Sequence, residues 1–360
     1  MKWPVLSLIV FVLLGCTNNT VEHVKQPDSV VRYQDDSKDP TRFSNLYPGK
    51  KTYPKTCTEN CYRPSKLVAC KTPAENCRFI GQQTPPDLNT GFAIRWLGHA
   101  SFYIENPDGT SLLFDPVSEQ FDWPVNWAFR LSEGFNRRPG AWPTKSEITN
   151  TDAVLYSHIH YDHFNKDDIA QVGSKAEYFV PLGFAEHFPQ DGYRINEMTW
   201  FSSKSLGDLN IHFVPAHHFS SRIWVPYLYE DNNAALWGGW VIEHRGQRLF
   251  FAGDTGYSKH FSDIQQRYGD MDVCLMPIAS YFHEQNGDWY RYVHTTPEDS
   301  LLAAKELNCK VMIPWGYGNA SWKMGDHSTH SALLRLLNMH QEMKSEIPLH
   351  ILNEGEAVVL

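Results

Sequence analysis

Ser157-His158-Ile159-His160-Tyr161-Asp162-His163 sets three imidazoles and a carboxylate in one short stretch, directly after the apolar run at 153–156. Neutral imidazole and carboxylate are the ligand set that Zn²⁺ takes where thiolates are absent. Alternate residues of an extended segment point the same way, so His158 and His160 can reach one ion. Two more metal-competent segments also follow apolar runs: Pro215-Ala216-His217-His218 after 211–214, and Ala252-Gly253-Asp254-Thr255-Gly256 after 249–251. Chemistry gathered at strand ends is the habit of layered α/β folds.

Outward from this stretch, short apolar runs broken by Gly, Pro, Asn and Asp read as strands at 92–96, 101–104, 111–114, 153–156, 178–180, 211–214, 236–242, 248–251, 273–276 and 311–313. Helical patterns lie at 166–172, 261–268, 297–307 (with Pro297 in its first turn) and 329–343. A meander followed by strands alternating with helices implies sheets covered by helices, an α/β fold. The 360 residues, 42% of them hydrophobic and 20% charged, suit one large globular domain with extensions.

A net charge of −9 and the lack of a basic run argue against nucleic acid as a partner. The 14% of aromatic residues is read chiefly as core. At the N-terminus, Lys2 precedes an apolar stretch at 5–14 too short to span a bilayer, which reads as a signal peptide over residues 1–16. Its ending, Leu13-Leu14-Gly15-Cys16, resembles a bacterial lipobox, which implies lipidation at Cys16 and, with Thr17 next, an anchor in the outer membrane facing the periplasm. Residues 17–90 read as a polar tether followed by a cap rich in cysteine. In an oxidising compartment Cys57, Cys61, Cys70 and Cys77 are expected to form two disulfides, with the pairing open, whereas Cys274 and Cys309, in apolar runs, read as buried thiols.

Seven blocks in order resemble the metallo-β-lactamase superfamily, and within it the phospholipases D that hydrolyse N-acylphosphatidylethanolamine. They are Trp96-Leu97-Gly98-His99-Ala100, Phe114-Asp115-Pro116, the histidine motif, Pro215-Ala216-His217-His218 with Arg222, Leu236-Trp237-Gly238-Gly239-Trp240, Phe250-Phe251-Ala252-Gly253-Asp254-Thr255-Gly256-Tyr257 and Pro277-Ile278-Ala279. The resemblance implies an αββα sandwich over residues 91–360 with zinc along one sheet edge. His158, His160 and His218 would hold one ion and Asp162 and His163 the other, with Asp254 between them; His217 is the alternative to its neighbour. His99 and Asp115 would orient ligands, and Asp162 and His294 would act in catalysis. One departure stands out: Pro314-Trp315-Gly316 occupies the place of a His-Trp-Gly segment. The zinc complement is therefore one or two ions, with the second site a ligand short unless His294, His327, His330 or water fills it.

The activity so implied is attack of a metal-bound hydroxide on a phospholipid phosphodiester, near the membrane that the lipid anchor holds. A lactonase or other esterase of the same fold is the alternative enzyme. A non-catalytic envelope lipoprotein with a degenerate second site is the alternative from another class. Composition leaves the oligomeric state open.

Overall fold

The computed structural model describes residues 18–26, 30–32, 41–47, 55–71, 76–119, 121–122, 125, 127, 141–222, 233–282, 287–318 and 328–360. The signal-peptide segment with Cys16, and also His327, lies outside the described residues. In chain order the strands are β1 (Thr20–Val24), β2 (Val31–Arg32), β3 (Phe43–Ser44), β4 (Val68–Lys71), β5 (Asn76–Phe79), β6 (Ala93–Gly98), β7 (Ser101–Glu105), β8 (Ser111–Phe114) and β9 (Ala153–Leu155). They continue with β10 (Glu177–Pro181), β11 (Arg194–Met198), β12 (Ser203–Leu206), β13 (Leu209–Val214), β14 (Gly239–His244), β15 (Gln247–Phe251), β16 (Val273–Pro277), β17 (Val311–Trp315) and β18 (Ala357–Val359). The helices are α1 (Lys145–Thr149), α2 (Lys166–Val172), α3 (His260–Tyr268), α4 (Gly287–Val293), α5 (Pro297–Glu306) and α6 (Ser331–Glu342).

Two mixed sheets face each other: eight strands in the order β1-β11-β10-β9-β8-β7-β6-β18, and six in the order β12-β13-β14-β15-β16-β17. The main core lies between them, where Trp96, Phe102, Phe114 and Trp240 meet Phe251 and Trp315 with almost no exposure. Phe251 stacks on Trp315 at 5.7 Å and meets the Phe114 ring at 5.2 Å, so rings from both sheets interdigitate. A second apolar cluster around Tyr156, Phe164, Tyr178 and Phe188 lies in the first sheet and the turns and α2 that follow its strands. The buried rings match the expectation that most aromatics build core, and the layers are the αββα architecture that the motif blocks imply.

Local chemistry explains the helix starts. Thr296 caps α5 with Pro297 at its first turn, and Asp299 returns the hydrogen bond to the Thr296 N–H, a capping box. Asn165 caps α2 by accepting from the Asp167 and Asp168 N–H groups, so the histidine motif is bracketed by a strand and a capped helix. β14 starts later than the apolar run at 236, at Gly239. Gly238 and Gly239 permit a close approach there, since a side chain on either would strike a backbone oxygen, 2.3 Å from Val214 O or 2.5 Å from Phe251 O.

Two expectations are corrected. The polar segment read as a tether supplies β1, the parallel edge strand on β11, in register from Thr20 opposite Arg194 to Val24 opposite Met198. Its polarity is that of an edge strand whose side chains face water. Cys274 on β16 and Cys309 before β17 are joined in a disulfide and are not thiols. Cys57–Cys61 and Cys70–Cys77 are the two bridges of the cap.

Candidate metal centre

The functional side chains leave the sandwich along one edge. His158, His160, Asp162 and His163 follow β9, His218 follows β13, Asp254 follows β15 and His294 follows α4. The sheets are joined here by the Gly238 N–H donating to Ser157 O at 3.0 Å. Gly253 makes the approach possible: it has φ +60, and a Cβ there would lie 2.7 Å from Gly238 O and 2.9 Å from the Ser157 side chain.

Three imidazoles converge at one end of the cluster. His158 Nε2 lies 2.7 Å and His218 Nε2 3.3 Å from His160 Nδ1. Ser157 Oγ stands 2.9 Å from His158 Nδ1, and His218 Nδ1 donates to Val293 O at 2.9 Å, so in these two rings the outer nitrogen is anchored and the inner one is turned to the centre. His217 points elsewhere, its two ring nitrogens lying 3.0 Å from Tyr292 O and 3.2 Å from Tyr47 O. The structure thus brings His218, and not His217, to the cluster.

Asp254 Oδ2 sits between the two ends, 3.9 Å from His218 Nε2 and 3.3 Å from both His163 Nε2 and His294 Nε2. At the far end Asp162 Oδ2 is 3.0 Å from His99 Nε2 and 3.8 Å from His163 Nε2. Asp115, fully buried, lies 2.8 Å from His163 Nδ1 and accepts from the Ser157 N–H and hydroxyl. His330, offered above as a replacement ligand, lies against Tyr317 with Nδ1 3.0 Å from Thr329 Oγ1, and is not part of the cluster. Pro314 is buried in β17 opposite Met276 and brings no donor atom.

The protonation states follow from this packing. Burial, then the neighbouring His163, His160 and His218, hold His158 well below its ordinary pKa. Burial also brings His160 down to about 4 and lowers His218. These three are therefore neutral at pH 7, with lone pairs available to an ion. For His163 burial works against charge, but Asp254, Asp162 and Asp115 outweigh it and hold its pKa well above the ordinary value. Asp162 and Asp254 stay ionised: burial opposes their charge, and His163 with His99 or His294 overcomes it.

This donor set fits divalent metal. Three buried imidazole nitrogens face one another at one point, and His163 Nε2 lies between two carboxylates without hydrogen-bond geometry to either. Two groups emerge, His158-His160-His218 and His99-Asp162-His163, with His218-Asp254-His294 adjoining them; within each, the ligand atoms lie within 4.8 Å of one another.

Arg222 clamps the motif from both flanks. Its buried guanidinium donates to Ile159 O and Phe164 O and pairs with Asp122, whose N–H donates in turn to Tyr161 O. Beside the cluster is a cavity of about 210 Å³ whose lining includes His160, Asp162, Asp254 and His294 together with Phe121, Phe219 and Tyr290. Sequence reasoning missed these aromatic residues, which come from separate segments without a shared motif, Tyr290 from α4 and Phe121 and Phe219 from loops.

A mixed αββα sandwich with clustered His and Asp at one sheet edge is the class of the metallo-β-lactamase fold. A family described as the beta-lactamase superfamily domain matches residues 110–317, more than half of the chain, and the chain belongs to that superfamily. An uncharacterised protein of Mycobacterium tuberculosis is 32% identical over 259 residues, 68% of this chain and 63% of that protein. The chain thus spans less than two thirds of that relative's length. N-acyl-phosphatidylethanolamine-hydrolyzing phospholipase D 1 of Caenorhabditis elegans is 27% identical over 282 residues, 72% of this chain and 73% of that protein. Among solved structures, the metallo hydrolase Igni18 of Ignicoccus hospitalis superposes with a TM-score of 0.51 at 21% identity, covering 75% of this chain and 98% of that one.

Proposed function

We propose that the protein hydrolyses a phosphodiester bond of N-acylphosphatidylethanolamine or a related phospholipid, releasing phosphatidic acid and the N-acylethanolamine. The observation that carries this reading is the cavity: its lining combines Asp162, Asp254, His160 and His294 with Phe121, Phe219 and Tyr290, so one space offers polar partners for a charged phosphodiester and apolar surface for a tail. The extended similarity to the nematode phospholipase D points the same way.

His158, His160 and His218 would hold one zinc ion, and Asp162 and His163 a second, with Asp254 between them. When bound, such ions stabilise charge on the attacked oxygen and lower the pKa of water towards about 7. The chain's own groups supply the rest. Asp162, ionised and facing the cavity, orients the attacking water and accepts its hydrogen bond. His294 reaches the same space with its Nε2 held 3.3 Å from Asp254, placed to hydrogen-bond a phosphoryl oxygen or pass a proton to the leaving alkoxide. The aromatic walls exclude water from the tail.

The setting we propose is the outer membrane, facing the periplasm, through lipid at Cys16. Six of the seven cysteines are paired in three disulfides, a usage that belongs to oxidising compartments, which leaves Cys16 for the anchor. Purified, zinc-loaded protein assayed in parallel on N-acylphosphatidylethanolamine vesicles, a water-soluble phosphodiester and an acyl lactone tests the function. Release of phosphatidic acid is expected; turnover of the lactone alone would replace this reading with that of a lactonase.

A further inference from the structure

We infer that His99 is itself a ligand of the second cation, completing a three-residue site with Asp162 and His163, and is not only a residue that orients Asp162. This deepens the metal-centre reading above and rests on it, but not on the phospholipid substrate.

His99 stands in the turn between β6 and β7, far in sequence from the histidine motif, with 7% of its surface exposed. Its Nε2 lies 3.0 Å from Asp162 Oδ2, and its ring meets that of His163 edge-on at 5.1 Å. One donor atom from each of His99, Asp162 and His163 falls within 4.8 Å of the others. The contrast with the other histidines is informative. His158, His163 and His218 each have one ring nitrogen against a serine, a carboxylate or a backbone carbonyl. His99 Nδ1 is buried with no hydrogen-bond partner among the described residues, so the ring's polar contact is with a metal-side carboxylate and not with the scaffold.

The fold strains its backbone to keep this ring in place: residue 99 sits in the left-handed region at φ 49, which non-glycine residues seldom adopt. A nitrogen ligand for a divalent ion, aimed at Asp162 through Nε2, accounts for that strain. The neighbouring candidates belong elsewhere: His294 groups with His218 and Asp254, and His330 pairs with Thr329 behind Tyr317.

The test is anomalous diffraction at the zinc edge on crystals of the full protein soaked in zinc chloride, with zinc per chain counted by elemental analysis. The expected map has two peaks, the second about 2.0–2.1 Å from a His99 ring nitrogen. His99→Asn, which tolerates left-handed backbone, should reduce the count from two zinc per chain to one and leave the peak at His158, His160 and His218. That retained peak shows that the variant is folded. A second peak not bonded to His99, a single peak in the wild type, or two zinc ions in His99→Asn would each overturn the assignment. The wild-type map decides the matter even if the variant misfolds. Loss of phospholipid turnover would leave the ion count unchanged, and loss of the second ion would leave hydrolysis at the first site standing, so the two readings fail separately.

Discussion

At the scale of single residues, the fold keeps the clustered imidazoles of His158, His160 and His218 neutral and keeps the Asp254 carboxylate charged beside them, the state that the proposed ion requires. His160 carries most of this, since its Nδ1 is the point on which His158 and His218 converge. His160→Ala should release the first ion and lower kcat/KM by about three orders of magnitude or more, as expected where metal supplies most of the charge stabilisation. Its circular dichroism should be unchanged; wild-type turnover in this variant would remove the cluster from the mechanism. Asp115 acts through His163. Asp115→Asn removes the charge facing the His163 Nδ1, and metal affinity should fall about 10–100-fold by competition with a chelating dye. Unaltered affinity would show that this contact does not tune the ligand.

At the scale of elements, the loop after β9 is shaped by Arg222, and α5 is joined to α6 by a second buried ion pair. The Arg335 guanidinium donates to both oxygens of Glu298, at 3.0 and 2.5 Å, and the Cys57 N–H donates to the same carboxylate. Burial raises the Glu298 pKa, but the hydrogen bonds and charge of Arg335 outweigh it and hold it below the ordinary 4.5. The unfolded chain therefore takes up this proton first as the pH falls. The stability from this pair is full above about 4.5 and is lost as the pH falls through the lower, folded value. Glu298→Gln strands the Arg335 charge and should cost about 3–5 kcal/mol in urea at pH 7, with less acid sensitivity below pH 4.5 than the wild type. A loss at pH 7 equal to that of a surface Glu→Gln change would refute the pairing.

Elements also show what was legible in the sequence. Strands that carry apolar runs, such as β8, β15 and β16, appear where those runs are, and so does the position of the histidine motif at a strand end. β11 was missed because its sequence, Arg194-Ile195-Asn196-Glu197-Met198, has polar residues that are nonetheless buried: Asn196 donates to Tyr178 O, and Glu197 accepts from the Ala185 N–H. Such polar residues read as loop until the distant partners that satisfy them are known. The choice between His217 and His218 had the same character, since it depends on carbonyls of Tyr47, Tyr292 and Val293 that no local pattern announces.

At the scale of the whole molecule, the N-terminal region is bound to the domain. β1 extends the first sheet, the Tyr62 and Tyr281 hydroxyls are 3.0 Å apart, and Arg63 bonds Asn338 on α6. The Cys274–Cys309 bridge ties β16 to the start of β17 across 35 residues. Apolar flanks made these two cysteines look like thiols, because local sequence does not report that neighbouring strands bring them together. A loop of that length implies a stabilisation of about 4 kcal/mol through the unfolded chain. Cys274→Ala with Cys309→Ala should lower stability by roughly this amount in guanidinium unfolding without changing the zinc content. A variant as stable as the wild type would show that the bridge is dispensable.

The central claim, a metal-dependent phospholipid phosphodiesterase, is tested most directly by ³¹P NMR of N-acylphosphatidylethanolamine vesicles treated with the purified protein in ¹⁸O water. The account predicts phosphatidic acid with one ¹⁸O on its phosphorus, abolished by chelator and restored by added zinc. An unchanged phosphodiester signal under zinc-loaded conditions would contradict it.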